Sequence, residues 1–249
     1  MSRGLISLLA FATAVGCSST PAAQSPAPAG SAMAAQVLFR GPANAPPLAE
    51  ELGLATGSLD DTAMARLLHT RLALPARVVV AVLHLPAVSA DYGWWRYPAL
   101  TAELTAALAD SVSAAIARAP RAARAAALPS FIIGSQRSFT ALQEAAARFQ
   151  ADVLLVYRPT CRVHEDAPVF GRITYQSSCT LEAVLLDTRT GVLPMATVAT
   201  RDEVTRRQRR DRDSDATVMR AQFTATLAAL GAVATRISAF LDSVAVSSP

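Results

Sequence analysis

The chain contains no lysine; all 23 of its basic side chains are arginine. It has three histidines, three cysteines and an aromatic content of 6% in 249 residues. Each shortage excludes something. A genome's base composition can replace lysine by arginine throughout, so the arginine bias is not a nucleic-acid signature. The net charge of +4 is too small to argue for one either, although it could favour anionic head groups or acidic cell-wall polymers. Few aromatics and abundant alanine require an aliphatic, tightly spaced core. The three histidines fall apart from one another. His84 lies in an apolar run, His69 in a helical pattern, and His164 beside Glu165 and Asp166. Neighbours on a strand point to opposite faces, which spoils a His-Glu-Asp metal site. No Gly-x-Ser-x-Gly elbow and no glycine-rich phosphate loop occurs. No cofactor is expected.

What is present begins at the amino terminus. Ser2-Arg3 is a short positive start, Leu5 to Val15 is apolar, and Ala14-Val15-Gly16-Cys17 closes the segment. This is a secretory signal, and about eleven apolar residues are too few to span roughly 30 Å of hydrocarbon. Its end resembles the lipobox of bacterial lipoproteins, with Ala14 where that family prefers Leu. The resemblance implies that Cys17 is acylated and becomes the first mature residue, and that Ser18 directs the protein to the outer membrane, facing the periplasm. The competing reading is an uncleaved apolar terminus with a stray cysteine. Two or more acyl chains would anchor stably, each buried methylene contributing roughly 0.8 kcal/mol.

Residues 1–16 are thus read as a signal peptide, 17–47 as a lipid-anchored Pro/Ala/Ser tether, and 48–249 as one α/β domain. Loss of residues 1–16 removes one arginine and no acid, so the mature charge is +3. The tether carries Pro21, Pro26, Pro28, Pro42, Pro46 and Pro47 and too little apolar surface to offset its ordering entropy. As a coil it averages about 30 Å end to end.

In the domain, Ser58 to Asp61 caps a helix carrying Met64, Leu67, Leu68 and Leu72. Arg77 to Leu85 is a valine-rich run expected of a central strand covered on both faces. A helix opens at Pro98 and carries Leu100, Leu104, Leu108, Val112 and Ile116 before Pro120 stops it. Phe131 to Ile133 is a short strand candidate, and Phe139, Leu142, Ala146 and Phe149 mark another helix. Three strands follow, near 152–164, 173–187 and 192–204, with a turn at Asp187 to Gly191. A final helix spans about Asp215 to Val244. The expected fold is a single α/β sandwich with helices packed on a mixed sheet, three consecutive C-terminal antiparallel strands and a long C-terminal helix.

Leu85-Pro86 after the first strand, Ala151-Asp152, and the Asp187 to Gly191 hairpin carry a further resemblance. Together with the helix–strand order they are similar to a group of envelope lipoproteins. That group comprises the curli-secretion pore family, the lipoprotein activators of penicillin-binding proteins, and the amino-terminal domain of the Tol-system propeller protein. The resemblance implies a non-enzymatic protein that binds another envelope protein or a cell-wall component, or that assembles as a homo-oligomer. A ring-forming secretion pore is the first alternative, but it needs amphipathic membrane-spanning strands of about nine to eleven residues. A cell-wall hydrolase is the second, and it needs an acid–base or nucleophile cluster.

Cys161 and Cys179 are the remaining cysteines. If the strands at 152–164 and 173–187 pair about the Asp166 to Arg172 loop, opposed residue numbers sum to about 340, as these two do. An exported compartment permits a disulfide, and closing this loop would stabilise by about 3 kcal/mol in the chain-entropy model. Two free thiols or a redox pair is the alternative. Asp91 to Tyr97 holds both tryptophans, Trp94 and Trp95, with Arg96 and Tyr97. Such residues anchor binding hot spots, and they also serve as lids over a sheet edge. Arg201 to Asp215 mixes charge signs closely. It reads as a solvated strand end and loop, with docking of phosphate or carboxylate by Arg206, Arg207, Arg209 and Arg210 as the alternative.

Overall fold

The computed structural model describes residues 48–53, 60–86, 100–129, 132–133, 138–168 and 172–247. The valine run forms β1 (Val78–His84), buried continuously from Val80 to Leu83. It pairs in parallel with β2 (Ala122–Ala127) on one side and β3 (Val153–Asp166) on the other. Beyond β3 the sheet turns antiparallel through β4 (Thr174–Asp187) and β5 (Met195–Arg206), giving the order β2-β1-β3-β4-β5. The helices are α1 (Leu48–Glu51), α2 (Asp61–His69), α3 (Ala102–Ile116), α4 (Phe139–Arg148) and α5 (Ser214–Ser243). This is an α/β sandwich on a mixed sheet, with the expected three-strand antiparallel run and long last helix.

The second strand needs correction. It is β2; of the Phe131 to Ile133 candidate, Ile132 and Ile133 lie in a helical turn, and Phe131 is outside the described residues. Alanine is depleted in strands, so Ala122–Ala127 carries no local strand signal. Its place is set by pairing with β1 and by α3 packed beside it.

Each sheet face has its own core. On one, Leu108, Val112 and Ile116 of α3 and Leu230, Val233, Ile237 and Leu241 of α5 pack on Val80, Val82, Leu155 and Tyr157. On the other, Leu48 and Leu52 with Leu142, Ala145 and Ala146 of α4 pack on Ala81, Leu83, Leu154 and Val156. By length and composition α5 could cross a membrane. Its residues Val218, Ala221, Ala225, Ala229 and Val233 are instead buried within the domain, so it acts as a core helix.

Local chemistry fixes the ends of these elements. Thr101, Ser138 and Asp213 are N-caps that accept from Leu104, Ala141 and Ala216 amides, each stabilising by about 1 kcal/mol. At the far end of α5, the Arg121 guanidinium donates to the carbonyls of Leu241, Val244, Leu74 and Pro75. It thereby ties the last helix to the entrance of β1. Between β4 and β5, Gly191 has φ +71°, and a Cβ there would crowd Gln143 and Phe139 of α4. Glycine suits this turn for both reasons.

Candidate functional site

The sheet changes character along its length. β4 is buried at every residue from Ala183 to Asp187, but from Thr174 to Glu182 buried residues alternate with half-buried ones. β1 ends at His84, opposite Tyr157, while β3 continues to Asp166. Past that point β3, β4 and β5 form a three-stranded distal ribbon. Its inner face is backed by α5, with Val163, Tyr175 and Val218 packed together. Its outer face presents successive rows: Thr160–Thr180–Thr200, Arg162–Ser178–Asp202 and His164–Gln176–Val204. Val198 and Val204 on this face are 56% and 64% exposed.

An ion pair marks the junction between the two halves. Arg158 is 1% exposed and donates to Glu182 Oε2 at 2.6 Å. The same oxygen accepts from the Leu48 amide at 3.3 Å, where α1 begins. Burying a charge is costly unless it is paired, so this pair is required once Arg158 is enclosed.

Just beyond the junction a disulfide joins Cys161 and Cys179, which face each other in the register whose numbers sum to 340. Their Cα atoms are 4.1 Å apart. The Thr226 hydroxyl of α5 lies 3.5 Å from Cys161 Sγ and donates to it, since an oxidised sulfur carries no proton. The staple thus sits on the inner face and holds the ribbon against the helix.

At the tip lies a cleft of about 620 Å³ lined by Glu165, Arg172, Ile173, Tyr175, Arg206, Arg207, Asp213 and Ser214. Its three guanidinium-bearing residues come from two places: Arg172 from the approach to β4, and the consecutive Arg206 and Arg207 from the point where β5 ends. Arg207 Nη2 donates to the Arg212 carbonyl at 2.8 Å. Among the described residues, no carboxylate or carbonyl takes the guanidinium of Arg172 or Arg206. Burial raises the Tyr175 phenol, and the Glu165 carboxylate raises it further. The ring is therefore a neutral wall.

A buried strut supports the cleft from behind. Asp211 Oδ2 accepts from Arg220 Nη2 at 2.7 Å, from the Gln208 amide at 2.7 Å and from the Thr217 hydroxyl at 3.1 Å. Arg220 also donates to Thr205 Oγ1 and to the Arg206 carbonyl. The Arg220 guanidinium, with the Gln208 amide, holds the Asp211 carboxyl well below the usual carboxylate range. The 201–215 segment is therefore only partly the solvated loop expected: Arg209 and Arg210 are exposed, but Asp211 is buried. Sequence reasoning missed this pair because its partners lie on opposite sides of a helix start.

The other sequence-derived positions divide plainly. Cys17, the 17–47 stretch, and Trp94, Trp95, Arg96 and Tyr97 lie outside the described residues. His84 stacks obliquely near Tyr157, with ring centroids 5.3 Å apart; His69 is on α2 and His164 on the outer face. Among the described residues no three His, Cys, Asp or Glu side chains converge as metal ligands. In α2 the expected inward stripe is reversed in part: Met64 and Leu68 are exposed, and the helix ends at His69, short of Leu72.

No protein-family model and no curated protein sequence matches the chain. Solved structures that the chain is similar to include a Xanthomonas campestris protein of family DUF330. It has 16% identity over 70% of this chain and 95% of that one, with a TM-score of 0.41. Another is a lipoprotein from Neisseria meningitidis, with 12% identity, 66% and 98% coverage, and a TM-score of 0.34. A third is PelC from Paraburkholderia phytofirmans, a dodecamer, with 18% identity, 65% and 91% coverage, and a TM-score of 0.33.

Proposed function

We propose that the chain is a non-enzymatic envelope lipoprotein, anchored through acylated Cys17 in the outer membrane and facing the periplasm. Its domain binds another envelope component through the distal ribbon. The observation that supports this most is the contrast within one sheet. Half of it is sealed between helices, whereas the other half is stapled, backed by α5 and left with an outward face carrying Val198 and Val204. Rigid, one-sided platforms of this kind suit recognition, because little ordering remains to oppose binding. The 17–47 stretch fits a spacer that lets the platform reach a partner away from the bilayer.

In-cell crosslinking of the tagged full-length protein, followed by mass spectrometry, tests the reading. One recurrent envelope partner is expected, and it should be lost with Val198→Asp and Val204→Asp while the unfolding midpoint stays unchanged. Capture of the chain only with itself, as a ladder of multiples, would replace this reading with a ring or pore. Metabolic labelling with a radiolabelled fatty acid, abolished by Cys17→Ser, checks the anchor.

A further inference from the structure

We infer that the tip cleft is a binding site for a phosphate-type anion, held by Arg172, Arg206 and Arg207 against the Tyr175 ring. The cavity, about 620 Å³, falls within the roughly 300–1,000 Å³ of small-ligand sites. Guanidinium forks match the oxygens of phosphate bidentately, and among the described residues Arg172 and Arg206 offer theirs unengaged. Their positions are not those of a loose charge run. Arg206 is the last residue of β5, and its carbonyl is fixed by Arg220, which Asp211 holds in turn. Arg207 is pinned through the Arg212 carbonyl. Arg172 lies two residues ahead of Thr174, the first residue of β4, which pairs with Arg206.

The acids in the cleft limit what can enter. Glu165 stands in the wall, and Asp213 is engaged as the cap of α5, accepting from Ala216 at 2.8 Å. The helix end therefore adds little; recognition falls to the three arginines, which outnumber the two acids. An anion with several oxygens can meet two forks at once and stay clear of Glu165, which favours phosphate or pyrophosphate over a single carboxylate. The inference rests on the partner-binding reading only for what carries the phosphate, either a lipid head group or a soluble or polymeric phosphate.

The test uses the whole chain with Cys17→Ser, which cannot be acylated, and inorganic pyrophosphate followed by titration calorimetry at fixed salt. Saturable binding is expected. Arg172→Gln with Arg206→Gln should weaken it by about tenfold or more. Arg209→Gln with Arg210→Gln, which removes the same charge from the adjoining loop, should leave it near wild type. Equal loss in both double variants, loss in neither, or no binding by the parent chain would overturn the site. Sedimentation with phosphatidylcholine vesicles, with and without phosphatidylglycerol, separates the sources. Binding to the anionic vesicles that Arg172→Gln with Arg206→Gln abolishes assigns a lipid head group, whereas pyrophosphate binding alone assigns a soluble or polymeric phosphate. Partner capture lost at Val198 and Val204 is a separate readout, so either idea can fail without the other.

Discussion

Leu154 and Thr160 lie on the same strand and point to the same side of the sheet, yet one is sealed under α4 and the other is half open to water. The proximal half of the sheet is held by two apolar layers. The distal half has one layer, reinforced on that same inner side by a covalent staple and a buried strut and at the junction by an ion pair. The lesson is that one sheet can take its stability from burial at one end and from specific polar and covalent ties at the other. The second kind leaves a face free.

Substitutions along the sheet can break this contrast. Leu154→Ala should cost about 4 kcal/mol in urea unfolding, the cost of a cavity between two packed layers. A cost below that of Thr160→Ala would contradict the two-layer account. Removing the staple with Cys161→Ala and Cys179→Ala should cost about 3 kcal/mol. Hydrogen exchange should then show Thr174 to Glu182 opening before Ala183 to Asp187; uniform opening would erase the boundary between halves. Glu182→Ala removes a carboxylate that both pairs with Arg158 and accepts from the Leu48 amide. After discounting for the partial exposure of Glu182, a loss of about 2 kcal/mol is expected, with α1 released as judged by proteolysis after Leu48.

Acid sharpens the comparison further. The Asp211 carboxyl is depressed chiefly by Arg220, so its contribution is whole above the unfolded value of about 4. It is lost as the pH falls from there toward the lower folded value. The tip should therefore loosen before the proximal half on acidification, and Asp211→Asn should remove that step. Amide exchange at Gln208 measured at pH 6 and pH 3 reports it. The smallest effect belongs to Thr200→Ala on the outer face, expected within about 0.5 kcal/mol of wild type.

Much of this layout is legible in the residues. Valine enrichment placed β1, steps of three and four placed α5, and the hairpin arithmetic set Cys161 against Cys179 in the register found. β2 was hidden because alanine has no strand signature, while Phe131 to Ile133 imitated one. In α2, periodicity correctly marked a helix but said nothing about whether Met64 and Leu68 would meet a neighbour. The tip cleft was half visible. Arg206 and Arg207 stood out within a charge run, but Arg172 joins them only because β4 and β5 pair out to Thr174 and Arg206. Propensity and period are local, whereas clefts are made by register.

The bond from the Leu48 amide to Glu182 also decides where a mechanical load would enter the domain. A pull that enters the described residues at Leu48 meets the oxygen that Arg158 holds, at the boundary between the sealed and the open half. From there the load passes into the centre of the sheet, where β3 and β4 are joined by backbone bonds on both sides of the junction and by the Cys161–Cys179 link. A pull entering at Leu48 is thus shared across paired strands instead of peeling an edge strand away. Under such a pull the distal ribbon would keep its shape, because its strands are joined by the backbone ladder and the disulfide on both sides of the point of entry.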